Sequence, residues 1–234
     1  MKKLAQTQEY LATVAHEIKA PLSAIINLLD VVDKGYVDHK KGMELVGRAK
    51  QKAEVVIRML DDILDYTLLE DKSLMKREKL DIFQVIQESV SIMWPYIEAK
   101  KIRLEHDQES CGKRYVSGNY TFLLRVFNNL IMNAIKYNRP GGSIHIHCQP
   151  ADPERITIKI QDTGIGISPD ELESVFQIFV RGKEARKNID GSIGLGLSLV
   201  RKIIEDHNGT IDLESELGRG TTVSVTFPFL LREK

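Results

Sequence analysis

One of the six histidines in this 234-residue chain, His16, stands in a context that favours chemistry at its imidazole ring. Glu17 follows directly, and its carboxylate can accept the proton of one ring nitrogen while the other nitrogen acts as a nucleophile. Pro21 lies one turn further on, where it removes a backbone donor and crowds the Glu17 carbonyl, so we expect the helix to bend here. The alternative interpretation is a solvated surface histidine without a function.

Amides and a lysine form a second pattern. Asn129, Asn133, Lys136 and Tyr137 fall at positions i, i+4, i+7 and i+8, which places them on one face of a helix. This stripe can hold a hydrated Mg²⁺ and nucleotide phosphates, because Mg²⁺ prefers hard oxygen ligands and keeps several of its waters. The alternative is a polar outer face, which explains repeated asparagine less well, since asparagine is a mediocre helix former.

Two glycine-containing turns could approach a ligand with their backbone. Asp162 ends a predicted strand and can accept a hydrogen bond from an exocyclic amine such as that of adenine, and Gly164 and Gly166 follow it. The segment 191–197, Gly-Ser-Ile-Gly-Leu-Gly-Leu, precedes a predicted helix whose first amides can cradle a phosphate. The sequence contains no Walker A motif, and this segment lacks the βαβ context of a Rossmann fingerprint.

The elements that must position these residues begin with two amphipathic helices. Apolar residues repeat every seven positions, a pattern typical of a helix that packs along another helix, and His16 lies beside this seam, facing water. Gly35 suits the end of the first helix and Asp38 the N-cap of a second, from about His39 to Leu69. One hairpin buries only one layer, so a four-helix bundle made by a homodimer is expected. The seam series are Leu4, Leu11, Ile18, Ile25, Val32; Gln8, Ala15, Leu22, Leu29; Ala49, Val56, Ile63; and Val46, Ala53, Leu60.

After a charged stretch at residues 72–79, predicted to be a linker, the pattern becomes mixed. Runs of helix with antiparallel strands predict an α+β fold, a sheet covered on one face by helices. Asn119 is predicted to cap the helix that carries the amide stripe. The other predicted elements are helices Phe83–Ala99 and Leu195–His207 and strands Ile102–His106, Ser143–Cys148, Arg155–Gln161, Thr210–Glu214 and Thr221–Phe227.

Composition restricts the partners and the compartment. Lys and Arg together number 33, as do Asp and Glu, so net charge gives no argument for nucleic acid or for an anionic membrane surface. No apolar run approaches the roughly 20 residues that a membrane span needs. Two cysteines are too few for a disulfide framework, so we expect reduced thiols and a cytoplasmic location, which a longer membrane-attached protein could also provide.

Four segments resemble the sequence boxes of the sensor histidine kinases, and two shorter matches accompany them. Residues 14–25, Val-Ala-His-Glu-Ile-Lys-Ala-Pro-Leu-Ser-Ala-Ile, closely resemble the H-box, and residues 128–138, 162–167 and 191–197 resemble the N, G1 and G2 boxes in order and spacing. Phe176 and Phe179 fit the intervening F-box, and residues 218–222 fit the terminal strand motif. The resemblance covers nearly the whole chain, and several boxes in register are hard to explain by chance.

This resemblance implies a fold, a reaction and partners. Residues 1–75 would form the HisKA-type dimerisation and phosphotransfer hairpin, and residues 76–234 the ATP-binding α/β sandwich of Bergerat (GHKL) type. The implied reaction is autophosphorylation of His16 by ATP with Mg²⁺, followed by transfer to an aspartate of a response-regulator receiver domain. The expected partners are a second copy and that receiver domain, without nucleic acid and without membrane contact by this fragment, which would be cytoplasmic even in a membrane-bound sensor.

The resemblance also implies a role for each residue singled out above for its chemistry. His16 would be the phosphoacceptor and Glu17 its general base, and Asp162 would read the adenine amino group. Arg181 could reach the γ-phosphate from a lid over residues 181–193. Asn133 and Asn129 would serve Mg²⁺, Lys136 would contact phosphate and Tyr137 would line the pocket. The remaining nucleotide-binding positions are Gly164, Gly166, Gly194, Leu195, Gly196 and Thr222.

One departure from the family pattern bears on the reverse reaction. Family members that dephosphorylate their partner usually carry Thr or Asn four residues after the histidine, where this chain has Ala20. A methyl group cannot orient an attacking water, so weak phosphatase activity is predicted. Two other functions stay open: a GHKL-type ATPase or serine kinase without a phosphohistidine, and a degenerate kinase acting as a dimeric scaffold, against which the intact Asn133, Lys136 and Asp162 argue.

Overall fold

The computed structural model describes residues 2–68, 76–107, 114–152, 154–178, 180 and 194–230. The chain separates into two compact units, Met1–Thr67 with Ile178–Gly196, and Leu68–Gln177 with Leu197–Lys234. Helices build the first unit, and a sheet with helices builds the second, which confirms the predicted α+β fold class. None of the helices in the described ranges has both the length and the apolar content needed to cross a lipid bilayer.

A helical hairpin forms the first unit, with helix α1 over Lys2–Asp33 and helix α2 over His39–Leu68. Gly35 follows α1 with a φ of 65°, a left-handed conformation that glycine adopts without a Cβ penalty, and its N–H donates to the Val32 carbonyl at 3.1 Å. Asp38 precedes α2, and its Oδ1 accepts a hydrogen bond from the backbone N–H of Lys41 at 2.7 Å. The predicted roles of Gly35 and Asp38 are therefore confirmed.

Apolar residues of the hairpin divide into a buried and an exposed set. The buried residues are Val14, Leu45, Ala49, Val56 and Met59. Four residues of the predicted seams are 40% or more exposed in the single chain: Leu22, Leu29, Val46 and Leu60. Only one part of the seam is thus covered within one chain, and the other part presents apolar surface to solvent.

The remaining elements follow in chain order: β1 (Glu78–Asp81), α3 (Ile82–Ala99), β2 (Arg103–His106), β3 (Tyr115–Gly118), α4 (Tyr120–Lys136), β4 (Ser143–Asp152), β5 (Arg155–Asp162), α5 (Gly196–Asp206), β6 (Thr210–Glu216) and β7 (Gly220–Pro228). A five-stranded sheet has the strand order β2-β4-β5-β7-β6, and β1 pairs with β3 in a separate two-stranded sheet. Since β5 lies at the centre, the residue at its C-terminal end is positioned by strands on both sides.

The core of the second unit lies between the five-stranded sheet and its helices. Alternate residues are buried along β5 and along β4 as far as Cys148, as expected for strands with one covered face. Helix α4 contacts both α3 and β5, and its Val126, Phe127, Leu130 and Ile131 are at most 2% exposed. Each such side chain contributes about 1.5–3 kcal/mol by its burial, so the apolar face of α4 fixes the orientation of its polar stripe.

Two features of the strands differ from the sequence prediction. Strand β2 pairs with β4 in parallel, with Arg103 opposite Ser143, although antiparallel strands are predicted. Residues 78 and 79 belong to the predicted linker 72–79, but they form the first half of β1 (Glu78–Asp81). The partner strand β3 is not predicted either. Residues 78–81 are mostly charged, and both the pairing of β1 with β3 and the direction of the β2–β4 pairing depend on distant segments.

Cys148 departs from the expectation of reduced thiols. This residue lies on β4, is 3% exposed and takes part in a disulfide bond. The chain's other cysteine, Cys111, lies outside the described residues. The sequence argument considered only the number of cysteines and the compartment, whereas a disulfide depends on whether two Cα atoms lie within about 7 Å.

Candidate functional site

The predicted phosphoacceptor lies on the exposed side of α1. His16 is exposed, and the neighbouring Glu17 is half-buried. Pro21 lies inside α1, which continues as a helix to Asp33, so the Glu17 carbonyl has no backbone N–H partner one turn later. The bend expected at this turn stays a prediction. An exposed imidazole is accessible to a second reactant, and the role of Glu17 as its general base stays a prediction.

Helix α4 starts at a side-chain cap and carries the amide stripe. Asn119 Oδ1 accepts a hydrogen bond from the Phe122 N–H at 3.1 Å, which fixes the first turn and confirms the predicted cap. Asn129 and Asn133 are half-buried, and the Asn129 amide nitrogen donates to the Arg125 carbonyl at 3.1 Å. That bond uses the amide nitrogen of Asn129 and leaves its carbonyl oxygen for a ligand.

Asp162, the last residue of β5, is held by backbone donors. It is 9% exposed, and the Gly164 N–H donates to its Oδ1 at 2.8 Å. The N–H of Thr221 also donates to the carboxyl group. Burial raises the pKa of Asp162 to about 6, because desolvation disfavours the charged form, and the two N–H groups offset part of that increase. The carboxyl group retains lone pairs for one further donor.

Neither glycine of the turn after Asp162 has room for a side chain. A Cβ placed on Gly164 would lie 2.4 Å from the Tyr137 carbonyl oxygen, and one on Gly166, where φ is 68°, would lie 2.1 Å from a backbone oxygen of β6. The Ile165 N–H donates to the Tyr137 carbonyl at 3.0 Å, which joins the turn to the end of α4. The structure therefore brings Tyr137, Asp162, Gly164 and Gly166 together.

Lys136 and Tyr137 close the C-terminal end of α4. Lys136 is half-buried, and its Nζ lies 5.1 Å from the centroid of the Tyr137 ring. The Tyr137 N–H donates to the Asn133 carbonyl at 3.0 Å, so the last helical turn fixes both residues relative to the amide stripe. The lysine side chain is thereby positioned on the same helix, one turn beyond Asn133.

Thr222 does not share the face of Asp162. Asp162 is paired with Thr221, and Gln161 is paired with Thr222. Since successive side chains of a strand point to opposite faces, the Thr221 side chain lies with Asp162, and its Oγ1 is 2.9 Å from Ser215 Oγ. The nucleotide contact predicted for Thr222 stays a prediction. Thr221 was not singled out, because one strand alone does not reveal its register with its neighbour.

The glycine-rich segment before α5 is described from Gly194 onward. Gly194 has a φ of 78°, and Gly196 is the first residue of α5. Leu195 is 1% exposed and packs with Met59 of α2, so its side chain belongs to the hydrophobic core and only its backbone could meet a phosphate. The partly buried members of this cluster are Ile18, Val55, Ile63 and Ile178.

Several predicted residues lie beyond what the structure describes. Arg181, the rest of the predicted lid over 181–193 and Phe179 are outside the described residues. Phe176 is described, is 8% exposed and lies beneath the guanidinium group of Arg201, whose carbon is 4.1 Å from the ring centroid. The Phe176 ring is therefore a packing element of the second unit.

His207 is a positioning residue that the sequence did not indicate. This histidine follows α5, is 2% exposed, and its Nδ1 lies 2.7 Å from the Ile203 carbonyl oxygen, to which it donates. Its Nε2 accepts a hydrogen bond from the Asn119 N–H at 3.0 Å. Burial lowers the pKa of His207, which suits a neutral ring with its proton on Nδ1. The contact joins the end of α5 to the cap of α4, residues 88 positions apart.

An open depression of about 310 Å³ borders Asp162 but suits a nucleotide poorly. Glu214 and Glu216 line it, and the Arg219 guanidinium is paired with Glu216 at 2.9 Å. A triphosphate placed there would face both carboxylates and be repelled. The full lining is Gln161, Asp162, Glu214, Ser215, Glu216, Arg219, Gly220, Thr221 and Thr222.

The residues around Asp162 and on α4 are of chemical types that suit a nucleotide with bound Mg²⁺. The close packing of Gly164 against the Tyr137 backbone and the Asp162 carboxyl group holds this turn in one position beside the end of α4. Within the described residues, no three or more His, Cys, Asp or Glu side chains cluster in a way that could hold a metal ion. The predicted Mg²⁺ ligands Asn129 and Asn133 have amide oxygens, which are hard ligands of the kind this ion accepts together with phosphate and water.

Two family profiles match the chain. The profile described as "His Kinase A (phospho-acceptor) domain" matches residues 6–72, which include His16. The profile described as "Histidine kinase-, DNA gyrase B-, and HSP90-like ATPase" matches residues 118–231, which include α4 and Asp162. Together these matches contain every residue assigned a chemical role above.

Curated relatives agree with these profiles. Drug sensory protein A of Synechocystis is 30% identical over 228 residues, a match that covers 92% of this chain and 34% of the relative. The sensor protein SrrB of Staphylococcus aureus is 29% identical over 222 residues, covering 94% of this chain and 38% of that protein. The chain therefore spans about a third of the length of the curated relatives it matches.

Solved structures share the fold. The histidine kinase ThkA, determined in complex with the response regulator TrrA, aligns with a TM-score of 0.76 at 23% identity over 97% of this chain and 63% of that chain. The Acinetobacter baumannii histidine kinase AdeS aligns with a TM-score of 0.70 at 21% identity over 91% of this chain and 97% of that chain. With a phosphoacceptor profile and an ATPase profile in the expected order, the chain belongs to the sensor histidine kinases of two-component signalling.

Proposed function

We propose that this chain binds ATP in its second unit and transfers the γ-phosphoryl group to His16. The observation that carries the proposal is the combination, in one chain, of an exposed histidine followed by Glu17 and a buried Asp162 held by two N–H groups in a glycine turn. The first provides a nucleophile, and the second provides a place for the adenine amino group. The ATPase profile over residues 118–231 supports ATP as the nucleotide.

The transfer is an in-line displacement on the γ-phosphorus atom. One ring nitrogen of His16 forms the new P–N bond, the bond from the γ-phosphorus to the bridging oxygen of ADP breaks, and ADP leaves. Glu17 accepts the proton from the other ring nitrogen, which keeps the imidazole nucleophilic as charge builds up. Such reactions depend chiefly on positioning and on neutralising phosphate charge.

Nucleotide positioning is assigned to α4 and the turns. Asn129 and Asn133 would hold Mg²⁺, which supplies charge neutralisation at the phosphates when bound. Lys136 would contact a phosphate, and Tyr137 would line the pocket beside Asp162. The family resemblance assigns further phosphate contacts to Gly194, Leu195, Gly196 and Arg181 and a nucleotide contact to Thr222. Thr221, which is paired with Asp162, is added as a residue that supports its carboxyl group.

The phosphohistidine formed on His16 would pass its phosphoryl group to an aspartate of a receiver domain. A P–N bond is labile, which favours onward transfer to a carboxylate. The ThkA structure, which contains the response regulator TrrA, supports a receiver domain as the partner of this fold. Residues 1–75 would act as the phosphotransfer domain and residues 76–234 as the catalytic domain, in the cytoplasmic part of a longer sensor.

Phosphate lability is the direct test of this function. The chain is incubated with Mg²⁺ and γ-labelled ATP, and the labelled protein is then exposed to acid or to base. We expect label that acid removes and base leaves in place, as a phosphohistidine requires. Label that survives acid would indicate a serine kinase, and release of free phosphate without any protein label would indicate an ATPase.

Ala20 predicts a poor phosphatase. Replacement Ala20→Thr supplies a hydroxyl that can orient a water toward a phosphorylated receiver domain. We expect the variant to speed loss of phosphate from the cognate regulator by about tenfold, less than a full general-base contribution. The rate is measured with prephosphorylated regulator, and Ala24→Thr, one turn further along α1, is the control. Rapid dephosphorylation by the unaltered chain would contradict the prediction.

The open part of the hairpin seam predicts a homodimer, consistent with the phosphoacceptor profile. Leu60 is 46% exposed in the single chain, and Leu60→Glu would bury a carboxylate in the paired bundle. We expect the dimer to weaken at least about tenfold, measured by light scattering over a dilution series. Lys50→Glu introduces the same side chain at an exposed polar position of α2 and serves as the control. If Leu60→Glu and Lys50→Glu show the same molar mass at every dilution, this interface is contradicted.

A further inference from the structure

Arg139 lies just beyond α4 and donates hydrogen bonds to carbonyl oxygens from two distant segments. Its Nε donates to the Thr163 carbonyl at 3.0 Å, and its Nη2 lies 3.5 Å from the Gly164 carbonyl oxygen. The same Nη2 also donates to the Gly218 carbonyl in the turn between β6 and β7. These acceptors are 24, 25 and 79 positions away in sequence, so the contacts are not a consequence of local chain geometry.

One peptide unit links Arg139 to Asp162. The carbonyl of Thr163 and the N–H of Gly164 belong to the same planar trans peptide, so they point in opposite directions. The carbonyl accepts from Arg139 Nε, and the N–H donates to Asp162 Oδ1 at 2.8 Å. Rotation of this peptide would therefore break both bonds at once. A charged donor on the carbonyl also polarises the peptide and strengthens the N–H as a donor.

The backbone that carries Arg139 is fixed as well. The Arg139 N–H donates to Asn138 Oδ1 at 3.0 Å, and the Asn138 amide nitrogen donates to the Ser143 carbonyl at 2.9 Å. Asn138 is 5% exposed, so this support is sheltered from solvent. On the far side, the Gly218 N–H donates to the Ile165 carbonyl at 2.7 Å. The guanidinium group therefore bridges two segments that already contact one another.

We propose that Arg139 is a positioning residue for base recognition: by holding the 163–164 peptide, it commits Oδ1 of Asp162 to the Gly164 N–H and leaves the other oxygen for the 6-amino group of a purine. This role rests on the proposed ATP-binding function. Lysine cannot reproduce it fully, because a guanidinium places several donors in a rigid plane whereas an ammonium is a single point. A surface arginine without function would not need three acceptors.

The test compares two nucleotides that differ at one group. Affinities of the full chain are measured for ATP and for purine-riboside triphosphate, which lacks the 6-amino group. The variants are Arg139→Met, Arg139→Lys and, as a matched control, Arg155→Met. Arg155 donates to a backbone carbonyl too, that of Asn208 at 3.4 Å, but this acceptor is not part of the turn after Asp162.

We expect Arg139→Met to reduce the preference for ATP over the 6-amino-free nucleotide by about fivefold, the size of one hydrogen bond, with Arg139→Lys between the variant and the wild type. Arg155→Met should leave the preference unchanged. If the Arg139 variants lose affinity for both nucleotides equally, or lose none, the role proposed for Arg139 is overturned, while the assignment of Asp162 is not affected. A wild-type chain that shows no preference for ATP would overturn the assignment of Asp162 and the role of Arg139 with it.

Discussion

Replacement of His16 by Gln is expected to remove all acid-labile label from the protein after incubation with γ-labelled ATP, a loss of at least about a thousandfold in the rate of labelling. Glutamine keeps the length and polarity of the side chain but has no nucleophilic ring nitrogen. The site is exposed on α1, so the substitution should leave folding unchanged. Labelling is measured by stopping the reaction in base and counting protein-bound phosphate.

The control for this experiment is His39→Gln, because His39 is an exposed histidine at the first residue of α2. It should label as the unaltered chain does. Binding of a fluorescent ATP analogue should be equal in all three proteins, since the nucleotide site lies in another part of the chain. Label that persists in His16→Gln would show that a different residue accepts the phosphoryl group and would favour an ATPase or a serine kinase.

Replacement of Asp162 by Asn is expected to lower the affinity for ATP by about 10- to 100-fold, the range for losing a hydrogen bond to a charged group. The asparagine oxygen would still accept from the Gly164 N–H, and its amide nitrogen would then present a donor to the donor of adenine. Affinity is measured by titration with the fluorescent analogue and by competition with unlabelled ATP. Asp212→Asn, an exposed carboxylate on β6, is the control.

The same variant should also change the pH dependence of binding. Burial raises the pKa of Asp162 to about 6, so the carboxylate is largely protonated at pH 5 and largely ionised at pH 7, and ATP affinity should rise across this range. The ligand's own phosphate titration affects both proteins, so the difference between the curves of the unaltered chain and of the Asp162→Asn variant isolates the carboxyl group. Parallel curves would show that Asp162 does not contact the base.

The contribution of Asp162 to the stability of the fold should fall as pH rises, whereas its contribution to ATP affinity should increase. A carboxyl group whose pKa is higher in the folded protein than its usual 3.8 stabilises the fold most below pH 3.8, and that contribution is lost as pH rises through 6. Above pH 6 the ionised, desolvated group opposes folding, so Asp162→Asn should melt no lower than the unaltered chain at pH 7.5. Lost affinity without lost stability separates recognition from folding.

Local signals allowed much of the fold to be predicted. Gly35, Asp38 and Asn119 act within three residues of the positions they cap, so their roles follow from short-range rules. The strands β1 and β3 were missed because residues 78–81 are mostly charged and because the two strands pair with each other across the intervening α3 and β2. The parallel pairing of β2 with β4 was missed because it depends on how the intervening chain returns to the sheet.

The candidate site likewise contains residues that local sequence reveals and residues that only the strand pairing reveals. Asp162 and the glycines after it form a contiguous motif, and the structure places them beside Tyr137. Thr221 and Arg139 escaped prediction because their contacts with this turn depend on register and on segments up to 79 positions apart. Residue type and spacing thus indicate which groups carry chemistry, while the groups that hold them in place become visible only once the strands are paired.

The disulfide at Cys148 makes the choice of reductant an experimental variable. The sulfur is on a strand whose neighbour, β5, ends at Asp162, and it is almost fully enclosed. Samples kept with and without a thiol reagent therefore differ in the covalent state of Cys148. Since cytosolic proteins of mesophiles are normally kept reduced, nucleotide titrations should be run in both states and their affinities reported separately.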